Sequence, residues 1–147
     1  MTCNAVRIPK CSVDDTTKTT PKEFEEHSRK LLKDIQEKLL AESLVFLNPD
    51  KACQSLYNVL LNILADLGLP YSDDLLIKFL FHTTFTIERC IRKEPYNYPK
   101  SRTLIKKHEK LFNILEKNFK VINEIFSIQI PLNEMSYIIE IFLPYVE

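Results

Sequence analysis

The stretch Ser72-Asp73-Asp74-Leu75-Leu76-Ile77-Lys78-Phe79-Leu80-Phe81-His82-Thr83-Thr84-Phe85-Thr86-Ile87-Glu88-Arg89-Cys90-Ile91-Arg92 decides the fold. Pro70 cannot continue a preceding helix, and the short polar residues Ser72, Asp73 and Asp74 can cap a new one. Leu75, Leu76, Phe79, Leu80, Thr83, Ile87, Cys90 and Ile91 then form an apolar surface wider than one helix face. A helix that is apolar over so much of its circumference belongs at the centre of a bundle. On an ideal helix, at about 100° per residue, Leu75 and Arg89 each lie only about 20° from His82, while Leu76, Leu80, Ile87 and Ile91 fall on the far side. The spacing thus predicts two faces. One packs inward through the aliphatic set; the other presents His82 and Arg89, about 10 Å apart along the axis, beside Lys78.

Upstream, Asn48-Pro49 sets a capping residue before a first-turn proline, and the stripe Leu56, Val59, Leu60, Ile63, Leu64, Leu67 ends at Gly68. The chain's single glycine therefore reads as a helix stop. Farther back, Thr20-Pro21-Lys22-Glu23 is a capping box, and Phe24, Leu31, Leu32, Ile35, Leu39 and Leu40 predict an amphipathic helix from 21 to about 44. Residues 1–20 are polar and Thr-rich, with too little apolar area to offset ordering entropy, and are expected to be a tail. Downstream, residues 93–99, with Pro95, Asn97 and Pro99, read as a loop. Leu104, His108, Leu111, Leu115, Phe119, Ile122 and Phe126 then predict one long helix or two near-collinear ones. After the extended link Ile128-Gln129-Ile130, Pro131 opens a last helix with Met135, Ile138, Ile141 and Phe142 facing inward. Five helices joined by short loops predict an all-α, compact antiparallel bundle, one domain over 21–147.

Composition narrows the function. The chain has 147 residues and balances 20 Lys+Arg against 20 Asp+Glu, so no net charge steers it to a polyanion. With one glycine it holds neither a P-loop nor a Rossmann fingerprint. The residues three before His27, His82 and His108 are Phe24, Phe79 and Ile105, so no Glu-x-x-His pair of the di-iron kind is present. HExxH and GxSxG are absent too, and no cofactor, metal or enzymatic activity is expected. Cys3, Cys11, Cys53 and Cys90 form no CxxC; Cys53 and Cys90 fall in apolar helical patterns and read as reduced, buried thiols. The basic run Lys100, Arg102, Lys106, Lys107, Lys110 is interspersed with Glu109 and reads as a solvated helix face, not a nucleic-acid patch. The N-terminus lacks a signal-peptide core, and the apolar run from Tyr137 to Val146 is broken by Glu140 and Pro144 and too short to cross a bilayer. A soluble, cytoplasmic protein is expected. Among the histidines, His27 is surrounded by charged residues and reads as solvated, and His108 lies in an apolar stripe and reads as a boundary residue. His82 is open to two readings, a surface or interface histidine and a reactive one.

The segment Phe81-His82-Thr83-Thr84-Phe85-Thr86-Ile87-Glu88-Arg89 resembles the helix bearing the first histidine of the PTS regulation domain (PRD), the helical module of sugar-responsive bacterial antiterminators and activators. That helix reads His, an aromatic at +3, then Glu-Arg at +6 and +7. Residues 126–138, Phe-Ser-Ile-Gln-Ile-Pro-Leu-Asn-Glu-Met-Ser-Tyr-Ile, resemble the family's closing stretch, and Phe46-Leu47-Asn48-Pro49 opens the second helix similarly. The likeness runs roughly from Phe24 to Phe142 and is greatest to the modules of levanase-operon-type activators. It implies a five-helix bundle, usually a homodimer, whose histidine accepts a phosphoryl group from the phosphocarrier HPr or an EIIB component. His82 is the implied acceptor, and Arg89 matches an arginine able to support the phosphate. The sequence departs from the family pattern at three places: Phe81 stands where an aspartate often precedes the histidine, Asn133 replaces an aspartate, and Ile141 occupies the place of a second histidine.

Chemistry is compatible with that role. A neutral imidazole attacks phosphorus near neutral pH, and a phosphoryl group adds about −1.5 to −2 charges, enough to shift a packing equilibrium across a symmetric interface. The alternative is a helical dimerisation or interaction domain of the same fold that is not phosphorylated, a reading that Phe81 and the missing second histidine favour.

Overall fold

A computed structural model describes residues 21–40 and 47–146, with side-chain surroundings for 25–37 and 47–146. The expected tail, the Thr20 cap, the end of the first helix beyond Leu40, and Phe46 lie outside the described residues. Among the described residues six α-helices follow one another: α1 (Pro21–Asp34), continued by a π-helical turn (Ile35–Leu40), α2 (Pro49–Leu67), α3 (Asp73–Arg92), α4 (Ser101–Lys107), α5 (Glu109–Phe126) and α6 (Leu132–Val146). The all-α bundle is as predicted, with six helices rather than five.

The helix limits follow from capping chemistry. Asn48 Oδ1 accepts the Lys51 amide at 3.0 Å ahead of Pro49, satisfying one of the orphan donors of α2. At the other end Gly68 takes φ 70°, its amide reaching the Ala65 carbonyl at 3.2 Å while the Leu69 amide reaches Leu64 at 2.9 Å. Ser72 Oγ accepts the Leu75 amide at 3.2 Å and starts α3. With no second glycine available, Lys93 adopts φ 61° to end α3, and the Glu94 amide bonds the Arg89 carbonyl at 2.9 Å.

Of the two alternatives the stripe allowed, one long helix or two, the structure has two, α4 and α5, parted at His108, whose φ of −119° and ψ of 45° leave the helical region. The hydrogen-bond ladder passes through the break: the His108 amide bonds Leu104 at 3.0 Å and its carbonyl accepts the Phe112 amide at 2.9 Å. The continuous apolar stripe therefore shows no sign of it, and neither Gly nor Pro marks the place. The break lets α4 lie against α6 while α5 packs on α2.

As predicted, α3 is central. It packs on α2 at one side and on α6 at the other. Leu75, Leu76, Phe79, Leu80 and Ile87 are fully buried, and the Phe79 ring meets Phe119 at 6.0 Å and Phe142 edge-on at 5.8 Å between centroids. Three buried threonines on α3 return their hydroxyls to carbonyls one turn back, Thr83 to Phe79 at 2.5 Å, Thr84 to Leu80 at 2.7 Å and Thr86 to His82 at 3.0 Å. This lets polar side chains enter the core with their hydrogen bonds made. On α6 the enclosed apolar residues are Met135, Ile138, Ile139 and Phe142; Ile141, expected inside, is half-buried, because Ile139 completes the one-sided set. No helix among the described residues is long and apolar enough to cross a membrane.

Candidate functional site

The α3 face carrying His82 and Arg89 is not open to solvent as the helical wheel suggested. The first half of α6 and the loop over residues 93–100 lie across it. At its N-terminal end the face is closed outright, since Leu75 has no exposure. Lys78, expected beside His82 and Arg89, turns away: its ammonium stands 3.0 Å from Asp74 Oδ2 and 5.9 Å from the Tyr145 ring centre.

Arg89 is engaged by Glu134, in the first turn of α6. Arg89 Nε donates to Glu134 Oε2 and Nη2 donates to Oε1, both at 2.8 Å, a two-pronged pairing of planar groups. Glu134 has no exposure, and the Arg89 side chain retains 14%. The carboxylate also accepts the Tyr96 amide at 2.7 Å, and Arg89 Nη2 donates to Thr86 Oγ1 at 3.2 Å. The Tyr96 ring covers the guanidinium at 3.8 Å. Burial alone would raise the Glu134 carboxyl; the hydrogen bonds from Arg89 and the Tyr96 amide, with the charge of Arg89, bring it below the usual carboxylate range. The result is a neutralised ion pair that pins loop, α3 and α6 together.

His82 sits beside this pair, half-buried. Its Nε2 is enclosed and has no hydrogen-bond partner. Tyr137 of α6 covers the ring, 5.9 Å between centroids, and is itself flanked edge-on by Tyr98 at 4.7 Å and Tyr96 at 6.4 Å. Tyr137 donates its hydroxyl to the Asn97 carbonyl at 2.7 Å, Asn133 Nδ2 reaches Asn97 Oδ1 at 3.1 Å, and the Tyr98 hydroxyl bonds Glu140. Burial, and next the charge of Arg89, lower the His82 pKa from its usual value, against the opposing pull of Glu134 and Glu140. The imidazole is therefore neutral at pH 7, the form whose nitrogen lone pair can attack an electrophile.

The two residues singled out from the sequence are thus brought to one site, but in different conditions: His82 half-buried with Nε2 unpartnered, Arg89 already paired. Glu134, Tyr96, Asn97, Tyr98 and Tyr137 were missed as site residues. Two tyrosines next to prolines, a third on the last helix and a carboxylate at that helix's start were the available signal, yet their meeting with α3 spans separations of up to 55 positions and cannot be read from local spacing. The remaining histidines lie apart. His27 Nε2 is 2.8 Å from Asp73 Oδ2 on an exposed surface, and His108 stands at the α4/α5 break. Among the described residues the thiols offer no nucleophile: burial raises Cys53 to about 12 and Cys90 to about 11, so neither is a thiolate near neutral pH.

No solved structure matches the chain. The transcriptional regulatory protein LevR of Bacillus subtilis (strain 168) is 26% identical over 112 residues, which are 76% of this chain and 12% of LevR. The chain thus corresponds to a small part of that relative's length. A family model described as PRD domain matches residues 57–145, from α2 to the last turn of α6.

Proposed function

The chain belongs to the PRD domain family, and from that premise we propose that it is a regulatory phosphoacceptor module of a bacterial transcriptional regulator. In this reading His82 receives a phosphoryl group from HPr or an EIIB protein of the sugar phosphotransferase system. The observation that carries it is an imidazole whose Nε2 is buried and makes no hydrogen bond, lodged next to a charged Arg89–Glu134 pair, where burial lowers its pKa. A nitrogen kept for structure would be expected to hold a partner; one kept for bond formation need not. In the transfer, the nitrogen lone pair forms the N–P bond as the bond between phosphorus and the donor atom breaks, and the bonding pair stays with the donor. No glycine loop or metal of this chain is required, because the donor supplies the activated phosphate. The output then rests on packing: the added charge of about −2 competes with Glu134 for Arg89, the group joining loop, α3 and α6.

The reading extends to a single domain over 21–147 behind a 1–20 tail, a homodimer, a cytoplasmic location and a regulatory rather than enzymatic role. A relative that is a transcriptional regulator supports the regulatory role. The test is incubation with phosphoenolpyruvate, enzyme I, HPr and a panel of EIIB proteins, scoring acid-labile, base-stable phosphate. Label on the wild type that is lost in His82→Ala is the expected result; no label with any donor, or undiminished label in the variant, refutes it. The cover over His82 favours a second reading, a dimerisation or interaction domain that is never phosphorylated. That reading predicts a dimer by analytical ultracentrifugation whose association is indifferent to the phosphorylating mixture.

A further inference from the structure

Phosphoryl transfer between two proteins needs the accepting nitrogen within about 3 Å of the phosphorus and in line with the departing bond. The geometry around His82 does not permit that at Nε2, which is enclosed, on a ring that Tyr137 meets at 5.9 Å between centroids. The groups forming the seal differ in how firmly they are held. One end of the loop is anchored by the Tyr96 amide on the buried Glu134 carboxylate. The other end rests on contacts at the surface: Tyr137 to the Asn97 carbonyl, Asn133 to Asn97 and Tyr98 to Glu140, all exposed. Exposed hydrogen bonds exchange readily with water and contribute little net stability, whereas the Arg89–Glu134 pair is costly to part.

From this asymmetry we infer that Tyr137 is a gate on His82: its side chain, with Asn97 and Tyr98, swings off α3 to uncover Nε2 while the Arg89–Glu134 pair stays closed. The inference rests on the reading of His82 as an acceptor. Closure itself biases the gate toward opening: it leaves a buried nitrogen without a partner, a penalty that water relieves when the ring is uncovered. Tyr137 is a positioning residue here, acting on the imidazole by access rather than by bonding to the phosphate.

The test reads access directly. Diethyl pyrocarbonate acylates uncovered imidazole nitrogen and needs no phosphoryl donor; its rate at His82 is followed by peptide mass spectrometry, against N-acetylhistidine in the same tube. Wild-type His82 is expected to react well below the free reference. Tyr137→Phe keeps the ring but cuts the tether to Asn97, and should raise the rate about fivefold, the population shift of one lost hydrogen bond of about 1 kcal/mol. Tyr137→Ala removes the cover and should raise it further. Thermal melts of both variants show whether each is folded, and the phenylalanine variant carries the test if the alanine variant is not. Equal rates in wild type and folded Tyr137→Phe, or a wild-type rate matching free N-acetylhistidine, overturn the gate. Parallel treatment with phosphoramidate, a small histidine phosphodonor, separates the two ideas. Faster acylation with no phosphohistidine on any form leaves the gate standing and removes the acceptor role, whereas phosphohistidine at equal acylation rates removes the gate alone.

Discussion

Replacing Glu134 by Gln changes one atom and should cost the fold a large share of its stability. The amide fits the same space, but its nitrogen faces donors at the Oε2 position, Arg89 Nε and the Tyr96 amide, both of which lose their acceptor. The Arg89 side chain keeps only 14% exposure, so water cannot replace what is lost. Breaking a buried pair by removing one partner costs about 3–5 kcal/mol; the residual exposure of Arg89 places the expectation near the lower end, about 3 kcal/mol. For a domain of this size each kcal/mol moves the melting temperature by roughly 3–4 °C, giving a drop of roughly 10 °C. Urea unfolding followed by circular dichroism measures it, in a cycle with Arg89→Met and with the double replacement Arg89→Met/Glu134→Met. The double variant should recover much of the loss, because it removes the stranded charge along with its partner. The pH dependence has a definite sign. Since the Glu134 carboxyl is lowered on folding, its contribution is present above the ordinary carboxylate range and lost as pH falls through the depressed value. Wild type and Glu134→Gln should therefore converge in strong acid. A loss under 1 kcal/mol at pH 7, or a double variant as unstable as the two single variants combined, would refute the view that this pair ties loop, α3 and α6 together.

Further expectations concern single residues. Gly68→Ala should lose about 1–2 kcal/mol in the same unfolding assay, wholly from the backbone, since a Cβ there meets nothing within 4 Å; Gly68→Asn should lose less. His82 has a lowered folded pKa, so its contribution is full above about 6.5 and falls as the solution is acidified below that value; His82→Phe should flatten the stability profile between pH 5 and 7. Ellman's reagent at pH 8 should leave Cys53 untouched in the native protein and titrate it at once in urea, because the thiol is fully buried and raised to about 12.

Much of the fold was legible because its signals are local. Asn48-Pro49, Gly68 and Ser72 each act within one turn, and the breadth of the apolar surface on the Asp73–Arg92 helix states its central place without reference to any other helix. Two helices were one of the alternatives for the stretch after residue 100, but the place of the break, His108, was not legible: both backbone hydrogen bonds survive across it, so no residue there needed to be special. The site divides in the same way. His82 and Arg89 were found on one face because they share a helix, but a helical wheel knows nothing of what packs on it. Tyr137, Glu134 and the tyrosines of the loop reach that face only through tertiary folding, which turned an expected open surface into a covered one. Even the pairing of Arg89 could not be foreseen, since its partner lies 45 residues on.

The helix α4 has a consequence for how the molecule comes apart. It is seven residues long, none of them buried, and its N-cap is Lys100, which gives no side-chain hydrogen bond and sets a cation at the positive end of the helix dipole. Lys93, by contrast, ends α3 with its charge on the favourable side. Amide protons of residues 101–107 should accordingly exchange through local opening far ahead of those in α3, whose release requires the whole core to unfold. Because α4 packs on α6, each such opening bares a flank of the helix that carries Tyr137 and Glu134, so a helix with no buried residue of its own adjoins the one that closes the site.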